Sequence, residues 1–151
     1  MKDWKKSGYK IESIEPLPEY KGAFVTVKEL FAMLKDADLK NCSDENGLPL
    51  LTIIDYRTEN FYKPGVSIAS IKTKCPILRC PIDDFTNPKI RHLIPKNSPV
   101  ILVCETGSRN AMAMRYLFKF GYTNTMGLQF GMRGWLKMDY PVEIGHGKEQ
   151  L

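Results

Sequence analysis

Two apolar runs, residues 50–54 and 100–104, constrain this chain more than any other feature. Each is about the length of one strand, and neither alternates polar with apolar positions in the way of a half-exposed strand. A strand that is apolar at successive positions has both faces buried, as in a parallel sheet covered by helices. Helical patterns accompany both runs. Thr26-Val27-Lys28-Glu29 fits a capping box, with Thr at the N-cap and Glu three residues on. Leu30, Phe31, Leu34 and Leu39 continue an apolar face, so a helix is expected over 27–40. A second helix is expected over 108–120, with Gly121 as its stop. Short strands are expected at 68–71, 77–80 and 124–130, short helices at 87–93 and 132–138, and turns at Asn46-Gly47 and Pro64-Gly65. This alternation defines an α/β domain around a mostly parallel sheet. A chain of 151 residues suffices for one such domain with its own core. Residues 1–22 show no clear periodicity and read as an N-terminal extension.

The chemistry concentrates where the second run ends. In Val100-Ile101-Leu102-Val103-Cys104-Glu105-Thr106-Gly107-Ser108-Arg109-Asn110 a strand delivers a cysteine to the carboxyl edge of the sheet, where open α/β folds hold their ligands. A tight loop then passes directly into a helix. Backbone N–H groups of the loop and of the helix N-terminus point towards such a sulfur, and with the helix dipole they favour negative charge there. The thiolate is the reactive form of cysteine. Gly107 lets the loop curl at low steric cost. Arg109 adds a fixed positive charge that holds the loop or meets an anionic donor. A cysteine that merely ends a core strand is the plainer alternative, and the loop composition argues against it.

Cys104-Glu105-Thr106-Gly107-Ser108-Arg109 resembles the active-site loop of the rhodanese sulfurtransferases. Four further pieces carry the resemblance in the expected order. Residues 26–34 resemble the family's opening helix, and Leu51-Thr52-Ile53-Ile54-Asp55-Tyr56-Arg57 its strand followed by Asp-x-Arg. Phe118-Lys119-Phe120-Gly121-Tyr122-Thr123-Asn124 resembles its helix end with a Gly-Tyr turn. Leu128 to Trp135, followed by Tyr140-Pro141-Val142, resembles its closing element. The likeness spans about residues 23–143 and leaves 144–151 as a C-terminal tail. It implies a five-stranded, mostly parallel sheet flanked by helices on both faces. It implies a cysteine, Cys104, that cycles between thiol and persulfide inside a cradle made by Glu105, Thr106, Gly107, Ser108 and Arg109, with Asp55 and Arg57 in support. The donor would be thiosulfate or a persulfide, and the acceptor cyanide, a cellular thiol or a protein; no metal or organic cofactor is needed.

Three positions depart from the family pattern: residues 65–70 lack the usual histidine, Phe130 replaces a first glycine of the closing pair, and Asn110 replaces a serine after the loop arginine. Glu105 sets a carboxylate beside the sulfur, which would make thiosulfate a poor donor and favour a neutral or protein-bound persulfide. Two other readings use the same residues. One is a non-catalytic rhodanese-like module that binds a protein, against which the intact Cys104, Gly107 and Arg109 argue. The other is a thiolate phosphatase or arsenate reductase, whose Cys-x5-Arg loop is one residue longer than the present one, where Arg109 follows Cys104 after four residues.

The remaining features exclude more than they suggest. Net charge is +5, but the excess lies in residues 51–100, where Lys63, Lys72, Lys74 and the other basic residues are scattered singly. That is a solvated basic surface that would favour small anions, not the dense stripe of a nucleic-acid reader. Neither a signal-peptide core nor a membrane-length apolar stretch is present, so a cytoplasmic location without membrane attachment is expected. In that setting Cys42, Cys75 and Cys80 are expected as thiols, Cys75 and Cys80 buried and Cys42 incidental in a polar loop. Either Cys75 or Cys80 could in principle resolve a persulfide on Cys104. Asp55 and Arg57 read as a structural ion pair near the sheet edge. His92 and His146 are isolated, and Trp135, Met112 and Met114 read as packing residues.

Overall fold

A computed structural model describes residues 23–57 and 67–146. Its elements, in chain order, are β1 (Ala23–Val25), α1 (Val27–Leu39), β2 (Thr52–Asp55), β3 (Ser67–Ile71), β4 (Ile77–Arg79), a 3-10 turn (Ile82–Thr86), α2 (Pro88–Arg91), β5 (Val100–Val103), α3 (Asn110–Lys119), β6 (Thr125–Leu128), α4 (Gly131–Lys137) and β7 (Val142–His146). The Pro64-Gly65 turn and residues 1–22 and 147–151 lie outside the described residues.

Five strands form one sheet in the order β1-β6-β5-β2-β4, and all four of its pairings are parallel. The two apolar runs are its central neighbours: Thr52 pairs with Val100 and Asp55 with Val103. Every residue of β2 and of β5 is buried, as expected for strands covered on both sides. Successive side chains point to opposite faces, and the core divides accordingly. Ile53, Ile101 and Val103 pack with Leu30 and Leu34 of α1 and with Met132 and Trp135 of α4. Ile54, Val100, Leu102 and Cys104 pack with Ala113, Met114 and Leu117 of α3 and with Phe85 of the 3-10 turn. Helices thus lie on both faces, and Cys104 belongs to the α3 side.

Local signals set the boundaries. Thr26 Oγ1 accepts from the Glu29 amide and Glu29 Oε1 accepts from the Thr26 amide, which completes the capping box of α1. Gly121, at φ +91°, ends α3 in the left-handed conformation that glycine adopts at little cost. The short helix expected at 87–93 spans only Pro88–Arg91 and follows a separate 3-10 turn. β3 does not join the main sheet. It pairs antiparallel with β7, Ala69 facing Ile144, so residues 144–146 belong to a strand where a tail was expected.

The cysteines require a correction. Cys42 and Cys75 are joined in a disulfide across 33 residues of sequence, with Cα atoms 5.1 Å apart, where both were expected as thiols. The cause lies in how two distant segments meet. After α1, Asn41 and Cys42 take positive φ values of 56° and 52° and turn the chain back on the helix. Asp38, near the end of α1, accepts from both the Thr73 hydroxyl at 2.7 Å and the Lys74 amide at 2.9 Å. One carboxylate therefore docks the segment after β3 onto the helix end and brings Cys75 to Cys42. No helix among the described residues is long and apolar enough to cross a membrane.

Candidate active site

β5 ends at Val103, and Cys104 is the next residue, buried at the carboxyl edge of the sheet. The chain then turns through 105–109 into α3, with Arg109 at the N-cap. Gly107, at φ +90°, makes the turn, and its amide donates to Cys104 Sγ at 3.0 Å. A sulfur that receives a backbone N–H is placed to carry negative charge. Glu105, Thr106, Ser108 and Arg109 are all exposed, and with Tyr56, Arg57 and Cys104 they line a cavity of about 240 Å³. The structure therefore gathers the predicted loop residues around one sulfur.

The loop rests on the β6–α4 turn. Cys104 O accepts from the Met132 amide and Glu105 O from the Arg133 amide, each at 3.0 Å. These contacts spend two otherwise free N–H groups of the first turn of α4. Close approach is possible because of two glycines. A Cβ on Gly131, itself at φ +56°, would fall 2.2 Å from Cys104 O, and one on Gly107 would fall 2.9 Å from Phe130 N. Gly131→Ala is expected to destabilise the domain by about 2–3 kcal/mol, from a left-handed alanine plus a backbone collision. Gly47→Ala is the control, since Gly47 has φ +80° with nothing within 4 Å of the added carbon; it should cost only about 1 kcal/mol in the same urea titration. Equal costs for the two would refute the collision.

Asp55 and Arg57 form the ion pair the sequence suggests. Arg57 Nε donates to Asp55 Oδ1 at 2.9 Å and Nη2 to Oδ2 at 2.7 Å, a two-pronged contact between side chains that are both nearly buried. The guanidinium does more than that. Nη2 also donates to Ala69 O at 3.1 Å, tying β2 to β3, and Nη1 lies 3.7 Å from Glu105 Oε1. The carboxylate read as a repulsive element beside the sulfur is thus held by a cation.

Two residues escaped the sequence reading. Tyr56 is buried between Asp55 and Arg57 and tilts against Phe85 with ring centroids 6.3 Å apart. Its hydroxyl donates to Asn110 Oδ1, while Asn110 Nδ2 donates to Leu128 O at 3.0 Å. Burial, and then the neighbouring Cys104, raise the Tyr56 pKa, so the phenol stays protonated beside the sulfur. Asn110, fully buried, stands where the sequence showed only a departure from a serine; it links the strand that carries Asp55 to the turn that supports the loop. Tyr56 lay in view inside Asp-x-Arg, but nothing local indicates that a side chain of β2 meets one of α3.

The other cysteines do not reach the cavity. Cys80 is fully buried, and burial followed by the charge of Asp84 pushes its pKa up to about 12. Cys75 is committed to Cys42. Neither lines the space around Cys104. His92 is an exposed C-cap residue of α2.

With this geometry in place, the relatives are informative. The chain belongs to the rhodanese-like domain family, whose model matches residues 27–138. A sulfurtransferase of Allochromatium vinosum is 32% identical over 54 residues, 36% of this chain and 50% of that protein, so the chain spans half the length of the curated relative it matches. Among solved structures, a rhodanese-related protein of Thermoplasma volcanium superposes with a TM-score of 0.57 at 19% identity, over 80% of this chain and 97% of its own. The rhodanese-like domain of an Anabaena protein gives a TM-score of 0.55 at 19% identity, over 80% and 77%. At these identities the two structures establish the fold.

Proposed function

We propose that the protein is a sulfurtransferase that carries a sulfane sulfur on Cys104. The observation that carries this reading is the Cys104 sulfur, held by the Gly107 amide at 3.0 Å on the wall of a cavity whose other lining side chains belong to the loop and to Tyr56 and Arg57. The Cys104 thiolate attacks the outer sulfur of a donor R–S–S⁻ or of thiosulfate. A bond forms between Sγ and that sulfur, the donor S–S bond breaks, and the electron pair leaves on R–S⁻ or on sulfite. Cys104 is left as a persulfide, whose terminal charge faces the loop. A thiol acceptor then attacks the terminal sulfur, takes it as a new persulfide and returns Cys104 as thiolate; cyanide would leave as thiocyanate. The step changes only sulfur partners and calls on no external oxidant.

Loop length supports sulfur over phosphate. Four residues separate Cys104 from Arg109, a cradle sized for one sulfur atom. The Arg57–Glu105 contact bears on the choice of donor. It softens the carboxylate without removing it, so a persulfide, which brings one negative charge to the sulfur, should load faster than the dianion thiosulfate.

The test is mass analysis of the intact protein after exposure to each donor, followed by peptide mapping of the adduct. One added sulfur on the peptide containing Cys104, reversed by cyanide, is the expected result. No adduct from either donor, or one mapped to another cysteine, would overturn the reading and leave the protein-binding module as the better account.

A further inference from the structure

Beside the loop lies a second and larger cavity of about 550 Å³, to which Thr106 but not Arg57 contributes. Its walls are Val27, Phe130, Gly134 and Met138, and two cations, Arg133 and Lys137, stand over it. Thr106 lines both this groove and the Cys104 cavity, so the two spaces meet at one side chain.

Three observations single out this groove. Phe130 is 71% exposed and sits at φ 63°. An aromatic side chain held in the left-handed region and in water is doubly unfavourable, and such strain persists where it serves a site. Its backbone is fixed against the loop, since only a glycine at 107 leaves room for Phe130 N, and Gly134 leaves room for its Cβ. Arg133 and Lys137, four residues apart on α4, form no ion pair with any described residue. Like charges at that spacing repel, and an anion between them would reverse the sign. No acidic side chain lines the groove.

We propose that this groove binds the body of a small peptide thiol, its apolar stretch on Phe130 and Met138 and its carboxylates on Arg133 and Lys137, with the sulfur passing Thr106 to reach Cys104. The inference rests on the sulfur-transfer reading and extends it to the class of donor or acceptor. A volume of this size suits a small molecule of a few residues. It also reconciles the charges: Glu105 disfavours a second charge at the sulfur end, while the cations of α4 favour anionic groups at the far end of the same ligand.

The binding test uses S-methylglutathione, which cannot transfer sulfur, measured by calorimetry against the wild type, Phe130→Gly and the double variant Arg133→Gln/Lys137→Gln. Both variants should weaken binding about tenfold or more. Phe130→Gly removes an unfavourable φ, so it should fold at least as stably as the wild type while binding worse, the opposite of a merely structural residue. With glutathione persulfide as donor, KM should rise in the Arg133→Gln/Lys137→Gln variant while kcat and the loading by thiosulfate stay unchanged; the dimethyl ester of the same persulfide should be indifferent to the double substitution. Binding of S-methylglutathione that ignores both substitutions overturns the proposal, as does an equal loss with thiosulfate, or transfer confined to a protein thiol. If the wild type binds S-methylglutathione in this pattern yet never takes up sulfur, the groove stands and the sulfur-transfer reading falls.

Discussion

Cys104→Ser is expected to fold with wild-type stability and to transfer sulfur at least about a thousand-fold more slowly. Serine is nearly isosteric with cysteine, and its hydroxyl oxygen still offers an acceptor to the Gly107 amide, so no buried donor is orphaned. What is lost is the only thiol in a position to react. Cys42 and Cys75 are bonded to each other. Cys80 is fully buried, and burial followed by the charge of Asp84 pushes its pKa up to about 12, so it stays a protonated thiol shielded from water. The effect should therefore be close to complete. Native alkylation gives an independent count: iodoacetamide at pH 8 should add one label to the wild type and none to the variant. Transfer in the variant above about one per cent of wild type would point to a second nucleophile and refute the single-cysteine site.

How much of this was legible beforehand follows from the range of each interaction. The buried central strands, the capping box at Thr26, the stop at Gly121 and the cysteine at the end of β5 are written in residues a few positions apart, and the structure reproduces them. The Asp55–Arg57 pair spans two residues and was equally visible. The contacts that escaped are those between elements far apart in sequence. Tyr56 reaches Asn110 across 54 residues, and β3 finds β7 across more than 70. The site's support on α4 was hidden for a different reason. Phe130 was visible as a departure from a pattern and Gly131 as part of the closing element, but the positive φ values that give them their roles are properties of the backbone. Thus the place of Cys104 at the end of β5 could be read from the sequence, whereas the neighbours that hold it could not.

Replacing both Cys42 and Cys75 with alanine is expected to cost about 4 kcal/mol of stability and to leave sulfur transfer unchanged. The magnitude comes from the unfolded chain: a cross-link closing a loop of this length, with its ends 33 residues apart, removes about 12–13 cal/mol/K of chain entropy. The double substitution avoids leaving one buried thiol without its partner. In urea the midpoint should fall sharply and the slope should rise slightly, because the uncrosslinked chain exposes more surface when unfolded. Reductant should move the wild type most of the way to the variant and should not move the variant at all. The indifference of catalysis follows from position. Cys75 precedes β4 at the amino edge of a parallel sheet, and Cys104 follows β5 at the carboxyl edge. The strands between them are buried at every position and paired on both sides, so at temperatures well below the transition the loop at 105–109 rests on the same supports in either form. A wild type whose midpoint ignores reductant would show that the disulfide is not formed in solution. A variant that keeps its stability but loses transfer would show instead that the two edges of the sheet communicate.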